Sequence, residues 1–177
     1  MKTVPIAVLA AAALAGAAAV SRPTIAAMEK AFDRRLERDV VEHPYDLLGM
    51  TRGVYLEGYG AVFTAEVALA TAPGISPFNP RPPKAQIEAL RKKKLGRLPA
   101  LRKTMREMLV DAAGSLDTVP PREQVVLAVS LFSHAWEDTS GLPSQIVMQA
   151  ERKALLAFKT GKGDLEGLGA VVRVGEY

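Results

Sequence analysis

Thr51-Arg52-Gly53-Val54-Tyr55-Leu56-Glu57-Gly58-Tyr59-Gly60-Ala61-Val62-Phe63-Thr64-Ala65-Glu66-Val67-Ala68-Leu69 is the stretch that decides the fold. Two β-prone runs flank a glycine-rich centre, Glu57 to Gly60. In the second run Phe63, Ala65, Val67 and Leu69 share one face, and Val62, Thr64, Glu66 and Ala68 share the other. Side chains alternate in this way only on an extended strand, so the segment predicts a β-hairpin that turns at Glu57–Gly60.

Downstream, residues 71–83 contain five prolines and predict an irregular loop. Ile87, Leu90, Leu98, Leu101, Met105, Met108, Leu109, Ala112 and Leu116 then form one helical stripe from Lys84 to Leu116. The stripe keeps its phase across Gly96 and Pro99, which predicts one long helix kinked there. Gln124 to Phe132 is nearly continuously apolar and predicts a buried strand, followed by a polar loop from Ser133 to Pro143. Ser144 to Thr160 reads as a third amphipathic helix carrying Ile146, Val147, Met148, Leu155, Leu156 and Phe158, with Gly161 as its C-cap. A glycine-rich turn over 161–169 leads to a last strand over 170–177.

Upstream, Ser21-Arg22-Pro23 suits a helix start, and Ile25, Met28, Phe32, Leu36 and Val40 recur at helical spacing over 21–43. The element order is therefore α-β-β-α-β-α-β. The expected fold class is α/β (α+β): one domain over 21–177, with helices packed on a mixed four-stranded sheet. Two strand–helix–strand crossovers would each set neighbouring strands parallel.

Residues 1–20 read as a signal peptide. Lys2 supplies the positive start, an alanine-rich apolar run extends to Val20, and Ala17 and Ala19 suit cleavage. The expected location is periplasmic or secreted. The alternative is an uncleaved N-terminal membrane anchor, which the closing Arg22 disfavours. The chain has no cysteine, so disulfides, thiol catalysis and cysteine–metal sites are excluded, and packing alone must hold the domain. A net charge of +4 is too small to imply a polyanionic partner by itself.

The segment Thr51 to Phe63, together with Trp136-Glu137-Asp138-Thr139-Ser140-Gly141-Leu142-Pro143, resembles a family of exported bacterial proteins over most of the mature chain. The resemblance implies export and carries no activity with it.

Three patches bear chemistry. In the hairpin turn, Tyr55, Glu57 and Tyr59 could line a ligand site around two glycines; the plainer reading is a turn covered by aromatic side chains. At the end of the buried strand, His134 could act as base or ligand, with Glu137 or Asp138 orienting it and Trp136 forming a wall for a sugar or ring. His134-x-x-Glu137 is half a zinc motif, and His43 is distant in sequence, so no metal or other cofactor is expected. The plainer reading makes these strand-end and loop-cap residues. The third patch, Arg91, Lys92, Lys93 and Lys94 on the long helix, could meet an anionic surface or envelope polymer; otherwise it is a solvated face. Export and the lack of interleaved aromatics disfavour nucleic acid.

With no complete catalytic constellation, the leading expectation is an exported domain with a non-catalytic binding or envelope-associated structural role. One alternative is a hydrolase or metal-dependent enzyme centred on Ser133–Ser140, joined by Tyr55 and Glu57. The other is a peripheral binder of anionic surfaces through helix 84–116.

Overall fold

The computed structural model describes residues 20–38, 45–74, 81–160 and 165–177. Residues 1–19, which hold nearly all of the expected signal peptide, and Val40, His43 and Gly161 lie outside them. The elements are α1 (Arg22–Arg38), β1 (Asp46–Leu47), β2 (Arg52–Leu56), β3 (Gly60–Ala68), α2 (Lys84–Ser115), β4 (Gln124–Leu131), β5 (Gln145–Glu151), α3 (Arg152–Lys159), α4 (Leu165–Val171) and β6 (Arg173–Glu176). Mixed α+β architecture, the hairpin, the long helix and the strand after it are as the sequence predicts.

The sheet has six strands rather than four, in the order β1-β3-β4-β5-β6, with β2 beside β3. β1 pairs with the end of β3 and β2 with its beginning, so the two lie end to end along one side of β3. β3 and β4 are parallel, joined by α2. The second expected crossover is absent: β4–β5 and β5–β6 are antiparallel. The segment Ser144–Thr160 is not one helix. Ile146, Met148 and Ala150 are buried while Gln145, Val147, Gln149 and Glu151 between them are half-buried. That period of two makes a strand, and only Arg152–Lys159 is helical. Part of the expected glycine turn is helical as α4.

Paired strand positions show which face the core occupies. Ala61, Val125 and Ala150 form one row, Phe63, Leu127 and Met148 the next, and Ala65, Val129 and Ile146 a third. All nine are buried, packed with Phe32 and Leu36 of α1, Leu101, Met105 and Leu109 of α2, and Leu155 of α3. Phe32 and Phe63 meet edge to face at 4.9 Å, worth about 1 kcal/mol beyond the area they bury. The opposite face carries Thr64, Glu66, Ser130, Val147 and Gln149, exposed or half-buried. The molecule is thus a two-layer sandwich of helices on one sheet face.

α1 is bound into this fold by its polar side chains as well as its apolar face. Gly53 N donates to Glu29 Oε1 at 2.7 Å, Thr51 N donates to Asp33 Oδ1 at 2.8 Å, and Arg22 Nη1 donates to Gly53 O at 3.0 Å. Glu29 and Asp33 are one helical turn apart, so both carboxylates reach the outer edge of β2. They satisfy backbone groups that would otherwise invite another strand. A side chain at Gly53 would collide with Phe63 and Ile25 at 2.6–2.7 Å, so glycine is what lets α1 approach so closely.

Candidate functional site

β3 and β4 run parallel, so their C-terminal ends open the same end of the sheet. Ligands in open α/β sheets tend to lie at such an end. Here it holds a cleft of about 420 Å³, lined by Asp46, Leu48, Ala68, Thr71, Pro73, Lys94, Phe132, His134, Trp136 and Glu137, among others. Small-ligand sites run roughly 300–1,000 Å³.

One wall is an aromatic ladder. Beyond β4 the chain places Phe132, His134 and Trp136 at alternate positions. The Phe132 and His134 rings meet edge to face at 4.9 Å, and His134 stacks on Trp136 at 5.2 Å with 9° between the planes. Neither imidazole nitrogen of His134 has a hydrogen-bond partner among the described residues. Trp136 Nε1 is buried with no hydrogen-bond partner among the described residues.

The floor is an ion pair. Lys94 points from α2 under the loop, where its ammonium meets the Glu137 carboxylate; their side chains are 2% and 3% exposed. Lys94 Nζ also donates to Phe132 O at 3.1 Å and to Ser133 Oγ at 3.2 Å, using all three of its protons. Glu137 Oε1 accepts from the His134 backbone N–H at 3.0 Å. The carboxylate therefore holds the loop's backbone and does not orient the imidazole.

Asp138 is exposed. It accepts from Ser140 N at 2.9 Å and lies 3.7 Å from Arg91 Nε. The Ser140 hydrogen bonds, foremost, and the Arg91 charge hold its carboxyl below the ordinary range. The three candidate catalytic residues are thus neighbours in sequence with three separate employments. Among the described residues no group of three or more His, Asp or Glu side chains is placed to hold a metal.

The hairpin patch lies at the other end of the same strands. Glu123, just before β4, accepts from Tyr55 OH at 3.3 Å and from Gly58 N at 3.2 Å, while Tyr59 OH donates to Gln149 Oε1 at 3.4 Å. Burial, then the hydrogen bond to Glu123 and the charges of Glu123 and Glu57, push the Tyr55 phenol up. The whole length of β3 separates these residues from His134 and Trp136, so Tyr55, Glu57 and Tyr59 share no site with the loop.

The basic run on α2 divides. Lys94 is buried, and Arg91 Nε donates to Ser140 O at 2.8 Å, whereas Lys92 and Lys93 are exposed. Further along, Arg97 donates to Leu69 O with its guanidinium 4.5 Å over the Tyr45 ring, and Arg102 forms a two-pronged pair with Glu176 at 2.6 and 2.9 Å. These cations tie the helix to the ends of β3, β4 and β6.

Sequence reasoning singles out His134, Trp136 and Glu137 and misses Lys94's role, Phe132, Asp46 and Thr71. The Phe132-x-His134-x-Trp136 alternation is a visible signal. Lys94 is not, because its stripe neighbours Leu90, Leu98 and Leu101 are apolar and it sits among like charges. Comparison with protein-family models, with curated proteins and with solved structures finds no match for this chain.

Proposed function

We propose that this chain is an exported domain that binds a small ring-bearing ligand in the cleft beyond β3 and β4 without transforming it. The observation that carries this reading is the pairing of Lys94 with Glu137 beneath an aromatic wall. A catalytic lysine or carboxylate needs a free proton or lone pair at the reacting atom. Here both groups are spent on each other and on the loop backbone, and His134 has no carboxylate to orient it. What remains toward the ligand is apolar surface with a few polar groups at its margin, the composition of a binding site. The signal-like N-terminus supports an extracytoplasmic setting.

Trp136 is the sole tryptophan, so its fluorescence reports cleft occupancy directly. The purified chain is expected to show saturable emission changes with ring-bearing compounds. It is also expected to show no turnover of ester, amide or glycosidic envelope substrates. Hydrolysis that disappears in His134→Ala would replace the binding reading with the enzymatic one.

A further inference from the structure

We infer that the cleft's ligand is a neutral saccharide, seated with the apolar face of a pyranose ring against Trp136, the end of the aromatic stack. This inference rests on the binding reading above and names its ligand class. Charge narrows the choice first. Lys94 and Glu137 cancel, so Asp46 is the remaining formal charge on the lining. A cleft with one uncompensated carboxylate repels phosphates and carboxylates. Polar capacity narrows it further. Asp46 Oδ2 accepts from Thr71 Oγ1 at 3.0 Å, Asp46 Oδ1 has no partner among the described residues, and the His134 imidazole is unused. A hydrocarbon ligand would strip water from these groups and return nothing, a loss of about 1–3 kcal/mol for each. The ligand must therefore carry hydroxyl or amide donors as well as an apolar face.

The ring geometry separates a sugar from a cation. A quaternary ammonium is held by aromatic faces converging from several sides. His134 and Trp136 instead stack face to face with 9° between their planes, so each turns a ring face to the other rather than into a cage. A pyranose fits that arrangement, since its C–H face packs on an aromatic surface while its equatorial hydroxyls reach outward to Asp46, Thr71 and His134.

The test is saturation-transfer NMR on the full chain with cellobiose and N,N′-diacetylchitobiose, beside choline, indole and inorganic phosphate. The expected result is transfer to ring C–H protons of at least one disaccharide and none to choline or phosphate. Affinity should fall about tenfold or more in Trp136→Ala. Asp46→Ala, an exposed change that leaves the core intact, should weaken it as well. Indole binding without either disaccharide would overturn the saccharide and leave the binding reading standing. Binding of choline or phosphate in preference to both disaccharides would overturn it too. Disaccharide binding unchanged in both variants would place the site elsewhere and overturn the inference. Silence from every probe would overturn both readings.

Discussion

Lys94 and Glu137 come from elements 43 residues apart and meet in a pair whose side chains are almost wholly withdrawn from water. Withdrawing either charge alone is costly, and their attraction offsets that cost only while both are present. Lys94→Met is therefore expected to destabilise the fold by about 3–5 kcal/mol. The double variant Lys94→Met with Glu137→Gln should lose less, because the glutamine amide oxygen can still accept from His134 N. Urea unfolding of the two single variants and the double closes this cycle. Additive losses would show that the pair is not coupled.

The exposed neighbours Lys92 and Lys93 make the contrast. Their joint replacement by alanine should leave stability within about 0.5 kcal/mol, read by the same unfolding curves. A loss comparable to that of Lys94→Met would contradict the division of the basic run. Binding to anionic vesicles, if any, should disappear in this double variant and fall steeply with salt.

Gly60 begins β3 with φ of 134°, and a Cβ there would fall 2.0 Å from Gln124 O on the paired strand. Gly60→Ala adds a backbone clash to an unfavourable φ, at about 3 kcal/mol or more. Gly58 has φ of 77° with open space around it, so Gly58→Ala should cost only about 1 kcal/mol. Melting temperatures of the two variants would rank them, and equal shifts would refute the account of the turn.

Glu29 binds the edge of β2 and titrates accordingly. Burial by itself would raise its pKa, but hydrogen bonds from Arg22 and Gly53 N with the charges of Arg22 and Arg52 outweigh it and hold the carboxyl below the ordinary value of 4.5. A carboxyl depressed in the folded state stabilises above the unfolded value, and that contribution is lost as pH falls through the folded pKa. Glu176, held down first by its hydrogen bond with Arg102, acts in the same direction. Stability should thus decline below about pH 4.5. Glu29→Gln should flatten part of that decline while lowering stability at neutral pH. An unchanged acid profile in Glu29→Gln would remove Glu29 from the explanation.

The elements legible in sequence are those whose packing needs are local. The hairpin shows itself through Phe63, Ala65 and Val67, and α2 through a stripe that persists past Pro99. β5 reads as helix because Ile146, Val147 and Met148 are consecutive apolar residues, and the following Leu155 and Leu156 extend a helical pattern into them. Its alternation becomes visible only when Val147 is assigned to the open sheet face. β1 is two residues long and exists because Leu48 N and the end of β3 bond to one another. The site is half legible. His134 and Trp136 stand out as rare residue types at a strand end, whereas the partnership of Lys94 with Glu137 depends on how α2 crosses that end. Distance along the chain also hides the fact that the hairpin turn and the Ser133–Ser140 loop sit at opposite ends of β3 and β4.

Titration of Trp136 fluorescence with N,N′-diacetylchitobiose in the wild type, Asp46→Ala and the Lys92/Lys93 double alanine variant tests the central claim most directly. A saturable emission change that weakens in Asp46→Ala and persists in the double variant is the predicted result. No saturable change in the wild type, or a change that vanishes only when Lys92 and Lys93 are replaced, would contradict a ligand site in the cleft.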